Sequence, residues 1–463
     1  MKAAINRRQF MQTSLAGAAA APLVTHVLGH EAEAFTQAVS PNDRIQVGLI
    51  GVGARCLQGS GLLDAAVAVP GVEVIGVCDA YRGRVGRALQ NLGGKAKDYG
   101  DYRALLADKS IDAVVIATPD HWHKAMTLEA LAAGKDVYLE KPMTLTIDEG
   151  PEMYGAAEKA GRVLQVGSQG ISSKLQETAR EIVKAGKLGQ ITLVRATFDR
   201  NSESGAWLYP IPPDADPKTV DWDAFVGPAP KRPFNPRRFH GSWRWFFDYG
   251  TGDLGNDGVH RLDVARWALT TAVAAQQGQV PALPAAVSAH GGKYYFDDAQ
   301  EWPDTLMVTY DYPEAHCVLT YEMRIWTPYP LYDEAEGAAV CGDQGFVVIG
   351  NSRWRAFDRK GQPIKESTGG DDTVAHVRNF LDCMRSRQKP TLDVETAGRA
   401  QVAITMAVNS YRHGKVLYFD EKNFKKLWKG DLKHFALNLL AASTGMREGE
   451  CQALTIGCVH DQY

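Results

Sequence analysis

The first part of the chain alternates short apolar runs with segments of helical periodicity. Four runs have the length of buried strands: residues 45–50, 72–78, 111–117 and 136–139. Between them, residues 101–108 and 123–133 repeat apolar positions as a helix does, and Asp120 stands where a helix cap is expected. Strands that alternate with helices in this way predict a parallel sheet flanked by helices, which is an α/β arrangement.

The pattern changes after residue 165. Residues 191–199, 305–312, 316–323 and 345–349 have the pattern of strands separated by turns, and few helical crossovers lie between them. We therefore expect an α+β domain with a mainly antiparallel sheet. Two helical segments, 372–385 and 395–411, are expected to pack back on the first domain.

A glycine-rich turn follows the first apolar run directly. In a Rossmann turn the first glycine makes the bend and the second lets the backbone approach the pyrophosphate of a dinucleotide. Gly51 and Gly53 occupy these two positions, whereas Cys56 stands where a third small residue is usual. The turn therefore predicts an N-terminal Rossmann domain that binds a dinucleotide.

The identity of the dinucleotide depends on the end of the second predicted strand. Asp79 lies there, where an acid binds the ribose hydroxyls of NAD. Arg82 and Arg84 follow closely and are placed to neutralise the 2′-phosphate of NADP instead. We predict NAD, with NADP left open. The other interpretation of Asp79 is an ordinary helix cap.

Length and composition fit a globular body of two or three domains. The chain has 463 residues, 45% of them hydrophobic. We assign residues 42–165 to the Rossmann domain, 166–420 to the α+β domain and 421–463 to a tail without predicted structure.

A net charge of −3 argues against a nucleic-acid partner. Seven cysteines without a Cys-x-x-Cys pair argue against a disulfide framework or zinc site. Beyond the N-terminus, no apolar run of about 18 residues predicts a membrane span.

Residues 1–34 have the pattern of an export signal. Arg7 and Arg8 precede a run of small apolar residues, and no acidic residue occurs before Glu31. Ala32-Glu33-Ala34 fits a cleavage site. Paired arginines of this kind predict twin-arginine export to the periplasm or the medium; an amphipathic helix is the alternative. Because that route carries folded proteins, a nicotinamide cofactor would travel inside the protein.

Four segments, taken in order, resemble the family of glucose–fructose oxidoreductase, inositol dehydrogenase and MocA proteins. They are the Gly51/Gly53 turn, Ala117-Thr118-Pro119 with His123, Glu140-Lys141-Pro142, and residues 250–263. The resemblance covers residues 42–420 and implies a sugar or polyol oxidoreductase. It also implies a set of cofactor-binding residues, namely Gly51, Gly53, Asp79, Thr118, Pro119, His123, Glu140 and Lys141.

The resemblance further implies the residues that act on the substrate. In the family, the lysine of the Glu-Lys-Pro motif lies beside the nicotinamide and contacts the reacting hydroxyl, a role that falls on Lys141. A later motif usually supplies an aspartate and a histidine four residues apart; here these positions hold Asn256 and His260. An amide cannot ionise, so we expect His260 to be the acid/base. Its ring is oriented by Asp263 in this interpretation, and a structural histidine is the alternative.

Three neighbouring features are open to a second interpretation. Asp257 is expected to face away from the site and to pair with Arg261 at i,i+4. His121 and His123 have no third ligand nearby, so we predict no metal and expect His123 under the cofactor, with His121 or Trp122 at the rim.

The long segment 201–247 is rich in aromatic residues that either face a sugar ring or serve packing and subunit contacts in a homo-oligomer. These aromatic residues are Trp207, Tyr209, Trp222, Trp243 and Trp245, and Arg244 belongs to the same set.

The leading hypothesis is an NAD(P)-dependent oxidoreductase that acts on a secondary hydroxyl of a sugar, glycoside or polyol and holds its cofactor tightly. The alternative is an NAD-dependent glycoside hydrolase or lyase that oxidises a ring carbon transiently. A third class, a binding or sensory protein with a structural cofactor, is suggested by Asn256.

Replacing both Arg7 and Arg8 by Lys is expected to abolish export, because the twin-arginine pathway reads the arginine pair. Fractionation of cells that express the variant should find the full-length protein in the cytoplasm, and the wild-type protein outside the inner membrane. Normal export of the double variant would contradict the assignment of residues 1–34.

Overall fold

The computed structural model describes residues 44–419 except 60, 200–202, 207–208, 278–282, 328–329, 331 and 371. The predicted export signal, the predicted tail and Trp207 therefore lie outside the described residues. From Ile45 onward the described residues belong to one unit. None of the described helices is long and apolar enough to cross a membrane.

The N-terminal domain is a Rossmann fold. Its strands are β1 (Ile45–Ile50), β2 (Val72–Cys78), β3 (Lys97–Asp98), β4 (Ala113–Ile116), β5 (Asp136–Glu140) and β6 (Leu164–Gly167). Its helices are α1 (Ala54–Leu57), α2 (Leu62–Val67), α3 (Arg82–Asn91), α4 (Tyr102–Ala107), α5 (Asp120–Ala132) and α6 (Glu149–Ala160). The strand order is β3-β2-β1-β4-β5-β6, and every described pair is parallel. The order reverses between β1 and β4, where such sheets bind ligands at the carboxyl ends of their strands.

The second domain is built on a nine-stranded sheet. Its strands are β7 (Ile191–Phe198), β8 (Ala286–Gly292), β9 (Thr305–Tyr312), β10 (Cys317–Arg324), β11 (Glu336–Gly342), β12 (Gly345–Gly350), β13 (Arg353–Asp358), β14 (Pro363–Thr368) and β15 (Leu417–Tyr418). Its helices are α7 (Lys174–Lys184), α8 (Trp222–Val226), α9 (Gly252–Asn256), α10 (Gly258–Gln277), α11 (Thr373–Ser386) and α12 (Val394–His413). The pairing is antiparallel except between β7 and β10. The predicted mainly antiparallel sheet is confirmed.

One face of the large sheet packs against α10. Leu262, Ala265 and Leu269 of this helix recur at i, i+3 and i+7, and all three are buried in the core of the second domain. On the sheet, buried and exposed residues alternate along β9 and β10, as expected of strands with one covered face. This packing fixes the position of α9, which immediately precedes α10 and carries Asn256.

Helix α11 leaves the second domain and completes the core of the first. Val377, Phe380 and Leu381 belong to the same buried cluster as Val47 of β1, and Phe380 packs edge-on against Tyr138. The prediction that residues 372–385 pack back on the first domain is therefore confirmed.

The sequence pattern missed some boundaries and strands. Helix α5 begins at Asp120, three residues before the predicted start, with Pro119 as its cap residue, so the prediction of Asp120 as the cap was wrong. The pattern did not indicate β11, because its Gly and Ala residues lack strand propensity and it is nevertheless buried at the centre of the sheet. Strand β14 was missed because almost all of its residues are exposed and do not alternate.

Phe380→Ala is expected to lower the free energy of unfolding by about 3–5 kcal/mol, because the Phe380 ring is 1% exposed and fills the contact between α11 and the Rossmann sheet. Denaturant unfolding measures this loss. Ile364→Ala on β14, where the side chain is 58% exposed, is the control and should change stability by no more than about 0.5 kcal/mol. Equal losses in the two variants would contradict the packing of α11.

Candidate active site

The glycine turn after β1 packs closely against the chain that follows β4. Gly51 has φ +84°, and a Cβ at this residue would lie 2.7 Å from the carbonyl oxygen of Ala117. Only glycine fits there without strain. At Gly53 the nearest atom to a Cβ is Arg84 Cζ at 3.6 Å, which is an ordinary contact. The protein itself thus requires a glycine at 51, whereas the space beside Gly53 is left open.

Asp79 fixes the turn from the end of β2. Its Oδ2 accepts a hydrogen bond from Val52 N at 2.9 Å, and its Oδ1 accepts one from Tyr81 N at 2.9 Å. Arg84 Nη1 lies 3.8 Å from the same carboxylate. The cap residue of α3 is Tyr81, so Asp79 is not that helix cap. Asp79 is instead held at the mouth of the turn, as the dinucleotide interpretation predicted.

A cavity of about 320 Å³ opens above this turn. Its Rossmann wall includes Gly51, Val52, Gly53, Asp79, Thr118, Pro119 and Trp122. Thr118 Oγ1 is buried without a hydrogen-bond partner among the described residues, as expected of a group that meets a ligand. The open space at Gly53, the placement of Asp79 and the buried hydroxyl of Thr118 together fit a bound dinucleotide.

The opposite wall of this cavity comes from residues 209–249, here called the insert. Asp221 N donates to Ala80 O at 2.8 Å, and Trp122 Nε1 donates to Phe225 O at 3.0 Å. Two further bonds of this kind are Arg82 N to Thr219 O (3.0 Å) and Tyr81 Oη to Asp214 Oδ1 (2.6 Å). The insert also has its own apolar cluster, which includes Tyr81 of the Rossmann domain. The insert is therefore fastened over the cofactor cavity.

A second cavity of about 360 Å³ adjoins the first. Its lining includes Glu140, Lys141, Asn256, Asp257, His260, Arg261, Glu336 and Asn351. The two cavities share a wall formed by Ala54, Arg55, Gln58, Ala117, Thr118, Tyr209, Trp243 and Arg244. The structure thus brings Lys141, Asn256 and His260 together around one space, beside the cavity that contains the glycine turn.

Arg244 and the predicted aromatic residues that the structure describes divide into two groups. Tyr209, Trp243 and Arg244 line both cavities. Trp222 packs against the apolar cluster of the insert, and Trp245 is 4% exposed in the core of the second domain. The first group suits contact with a ligand and the second group serves packing, so both interpretations hold for part of the set.

Lys141 links the two domains. It follows the end of β5 and precedes a cis peptide bond to Pro142. Its Nζ donates to the backbone carbonyl of Asn256 at 2.5 Å and lies 3.4 Å from both Asn256 Oδ1 and Asp257 Oδ1. A cation at the C-terminus of a helix is favourable, because it meets the carbonyl groups that have no partner within the helix.

The amide of Asn256 is oriented by charged neighbours. Its Oδ1 accepts a hydrogen bond from Arg244 Nε at 2.8 Å and faces Lys141, whereas its Nδ2 donates to Asp253 Oδ1 at 3.3 Å. A flipped amide would set its NH₂ group against two cations. Asn256 therefore presents an acceptor to Lys141 without carrying a charge.

The expected pairing of Asp257 with Arg261 was wrong. Helix α9 ends at Asn256 and α10 begins at Gly258, so Asp257 lies at a break and the i,i+4 relation does not apply. Arg261 instead pairs with Glu336 of β11, with Nε 3.3 Å from Oε2. Asp257 lies beside Lys141.

His260 separates the second cavity from a small crevice, which Asp263 also lines. Burial raises the pKa of Asp263 to about 6, opposed by Arg266, a hydrogen bond with Ser168, and Arg180. The contact predicted between the His260 ring and Asp263 stays a prediction.

The two histidines of α5 bind backbone carbonyl groups. His123 Nδ1 lies 2.7 Å from Pro142 O and its Nε2 lies 3.0 Å from Thr118 O, so the ring ties two turns together. It is not among the residues that line either cavity, but its bond to Thr118 O sets it behind the wall of the first cavity, and its predicted place under the cofactor stays a prediction. His121 is 5% exposed rather than at a rim, and burial lowers its pKa to about 4. No group of three or more His, Cys, Asp or Glu side chains in the described part of the chain is arranged to hold a metal ion.

Several site residues escaped sequence reasoning. Arg55 Nε bonds Glu140 Oε1 at 2.9 Å, so Glu140 supports the shared wall and faces the second cavity, not the first. Asp120 Oδ2 accepts bonds from the N and Oγ1 of Thr251 at 3.1 and 3.0 Å, and burial raises the pKa of Asp120. Glu336 comes from a distant strand, and no local pattern signals it. Arg55 directly follows the glycine turn. A charged residue next to the predicted pyrophosphate site was the signal that could have identified it.

Comparison with known proteins identifies the family. Residues 45–168 match the model described as oxidoreductase family, NAD-binding Rossmann fold, and residues 180–314 match the C-terminal α/β domain model of the same family. The chain belongs to this oxidoreductase family. The family is the one that the four sequence motifs resemble, so that prediction is confirmed.

The similar proteins include inositol dehydrogenases and a glycosyl hydrolase family 109 protein. Inositol 2-dehydrogenase of Salmonella typhimurium is 33% identical over 151 residues, which are 32% of this chain and 44% of that protein. A glycosyl hydrolase family 109 protein of Shewanella baltica is 34% identical over 176 residues, or 34% of this chain and 37% of that protein. This chain thus matches under half the length of either protein. The scyllo-inositol 2-dehydrogenase (NAD(+)) of Bacillus subtilis is 24% identical over 78% of this chain and 92% of its own length.

A solved structure shares the whole fold. The WlbA dehydrogenase of Bordetella pertussis, determined in complex with NADH and UDP-GlcNAcA, has a TM-score of 0.59. It is 19% identical in sequence, and the match covers 81% of this chain and 99% of that one. The likeness confirms the predicted combination of a Rossmann domain with a second, mainly antiparallel domain.

Gly53→Ala is expected to impair nucleotide binding, whereas Gly51→Ala is expected to lower stability. A Cβ at residue 53 has room in the protein and would obstruct only a bound pyrophosphate, so Gly53→Ala should keep the melting temperature of the nucleotide-free protein and lose bound nucleotide. Gly51→Ala should lower the melting temperature, because its Cβ meets Ala117 O and its φ is positive. Thermal unfolding and the absorbance of released nucleotide measure the two effects. A full complement of nucleotide in Gly53→Ala would contradict the assignment of the turn.

Proposed function

We propose that the protein is an NAD-dependent oxidoreductase that acts on a secondary hydroxyl of a sugar, glycoside or polyol. The observation that carries the proposal is the common wall of the two cavities. One cavity has the features that suit a dinucleotide, and the other has a lysine, a histidine and several hydrogen-bonding groups around a space of sugar size. When bound, NAD would accept or return a hydride at this boundary.

The residues of the second cavity support distinct roles in the reaction. Lys141 extends from the end of β5 to the carbonyl of Asn256. In the proposed reaction its ammonium binds the oxygen of the reacting hydroxyl. His260 stands on the same wall with a ring that can take up the proton of that hydroxyl. Asn256 holds Lys141 and Arg244 in place through its Oδ1.

The surroundings of Asp79 support NAD over NADP. The carboxylate is held by two backbone N–H groups at the mouth of the turn, where it would accept the ribose hydroxyls and repel a 2′-phosphate. Arg84 and His240 lie near it, with Arg84 Nη2 3.2 Å from His240 Nδ1, so NADP remains the second choice.

The contacts of the insert favour a cofactor that stays bound between turnovers. Its hydrogen bonds to Ala80, Arg82 and Trp122 hold it against the Rossmann domain beside the cavity. A retained cofactor must be reoxidised in place, which implies ping-pong turnover with a second sugar or another hydride acceptor. It also suits an enzyme exported in folded form, for which Arg7 and Arg8 are the supporting residues.

A second candidate function is an NAD-dependent glycoside hydrolase or lyase. The match to a glycosyl hydrolase family 109 protein favours it. In such a reaction the cycle of oxidation, elimination and reduction regenerates the cofactor, so no external hydride acceptor is needed. Release of p-nitrophenol from p-nitrophenyl glycosides without an added acceptor would identify this reaction. Net reduction of an added acceptor by polyols would identify the first.

A homo-oligomer is a further part of the proposal. Met307 of β9 is 44% exposed on the face of the sheet that is turned away from the core, where a second copy of the chain could cover it.

Lys141→Met and His260→Ala are each expected to slow hydride transfer by roughly 10²–10⁴-fold, about 3–5 kcal/mol of barrier, while nucleotide stays bound. Reduction of the bound nicotinamide is followed at 340 nm with myo-inositol, D-glucose and glycerol as probes. Lys174→Met is the matched control, since its side chain is 78% exposed on α7. A near-wild-type rate in Lys141→Met would show that the site is wrongly assigned.

A further inference from the structure

The chain breaks its helical path at Asp257. Helix α9 ends at Asn256, Asp257 has φ −108° and ψ −28°, and α10 begins at Gly258. A Cβ at Gly258 would lie 2.5 Å from Tyr321 Oη, so the backbone passes close to β10 at this point. Asp257 therefore lies at the junction of the two helices.

The carboxylate of Asp257 is turned toward Lys141. Asp257 Oδ1 lies 3.4 Å from Lys141 Nζ, and the two side chains are 12% and 11% exposed. Both residues line the second cavity. Arg261, the other cation near Asp257 in sequence, is paired with Glu336. Both charged side chains are largely buried. They therefore depend on each other, because removing one leaves the other buried without its counter-charge.

The neighbouring Asn256 cannot supply this charge. Its Oδ1 serves Arg244 and Lys141, and its Nδ2 faces Asp253 at 3.3 Å. A carboxylate at this position would be set against Asp253. The site thus has an amide at 256 and a carboxylate one residue later, at the helix break.

We propose that Asp257 is the positioning carboxylate of Lys141, in place of the acid that the family motif has at residue 256. The inference rests on the proposed function, since it assigns a role within the same site. Asp257 holds the ammonium of Lys141 in the second cavity and balances its charge, so that the ammonium is directed at the reacting oxygen of a sugar or polyol.

Exchanging the two residues tests this role. Asp257→Asn should slow reduction of the bound nicotinamide by myo-inositol, D-glucose or glycerol by roughly 10²-fold. Bound nucleotide and KM should change little, because the carboxylate acts on the orientation of Lys141. The exchange variant Asp253→Asn/Asn256→Asp/Asp257→Asn returns the acid to the family position without setting it against Asp253, and should recover most of the lost rate. Asp382→Asn on α11, an exposed residue paired with Arg385, is the matched control.

A double-mutant cycle tests the contact without any substrate. Melting temperatures are measured for nucleotide-free Lys141→Met, Asp257→Asn and the double variant. The double variant should lose less than the sum of the two single losses, since each single change leaves one buried charge without its partner. Strictly additive losses would overturn the contact.

The outcomes separate the two levels of inference. If Asp257→Asn keeps the wild-type rate while Lys141→Met is slow, the role of Asp257 is wrong and the proposed function stands. If Asp257→Asn is slow and the exchange variant stays equally slow, a charge near Lys141 is not sufficient and the proposal is also overturned. If the wild-type protein reduces its nicotinamide with none of the probes, the proposed function fails for these substrates, and the double-mutant cycle alone decides whether Asp257 serves Lys141.

Discussion

The hydrogen bond from Lys141 Nζ to the carbonyl of Asn256 connects the two halves of the site. Lys141 directly follows β5 of the Rossmann domain, and Asn256 is the last residue of α9 in the second domain. A helix end offers carbonyl groups without partners, and a lysine offers up to three donors. The same contact thus joins the domains and sets the position of the ammonium.

Around this contact two further polar pairs hold α9, one across the domain boundary and one within the second domain. Asp120 of the Rossmann domain binds the backbone and hydroxyl of Thr251, just before α9. Arg244 of the insert reaches Asn256 from the other side. Because these groups are largely buried, each depends on its partner to compensate for lost hydration. The cavity wall is consequently rigid where a substrate would need fixed donors and acceptors.

The sequence was informative where chemistry is encoded within a few neighbouring residues. The Gly51/Gly53 turn and the strand ending in Asp79 have local signatures, and the structure places them as expected. Asp257 was misjudged because the i,i+4 rule assumes a continuous helix, and nothing in the local pattern marks the break before Gly258. Glu336 was missed because it meets Arg261 only through the pairing of distant strands. Tertiary placement therefore decided what local periodicity could not.

The position of α11 has a consequence for how the chain acquires its structure. The buried cluster of the nucleotide-binding half contains Val377, Phe380 and Leu381, which are synthesised more than 200 residues after β6 closes the parallel sheet. Until they arrive, this cluster lacks the part of its apolar packing that α11 supplies. The Rossmann half therefore completes its core only with residues from a distant part of the chain. Its completion requires closure of a very long loop, and such closure favours slow, late consolidation of the fold over domain-by-domain folding during translation.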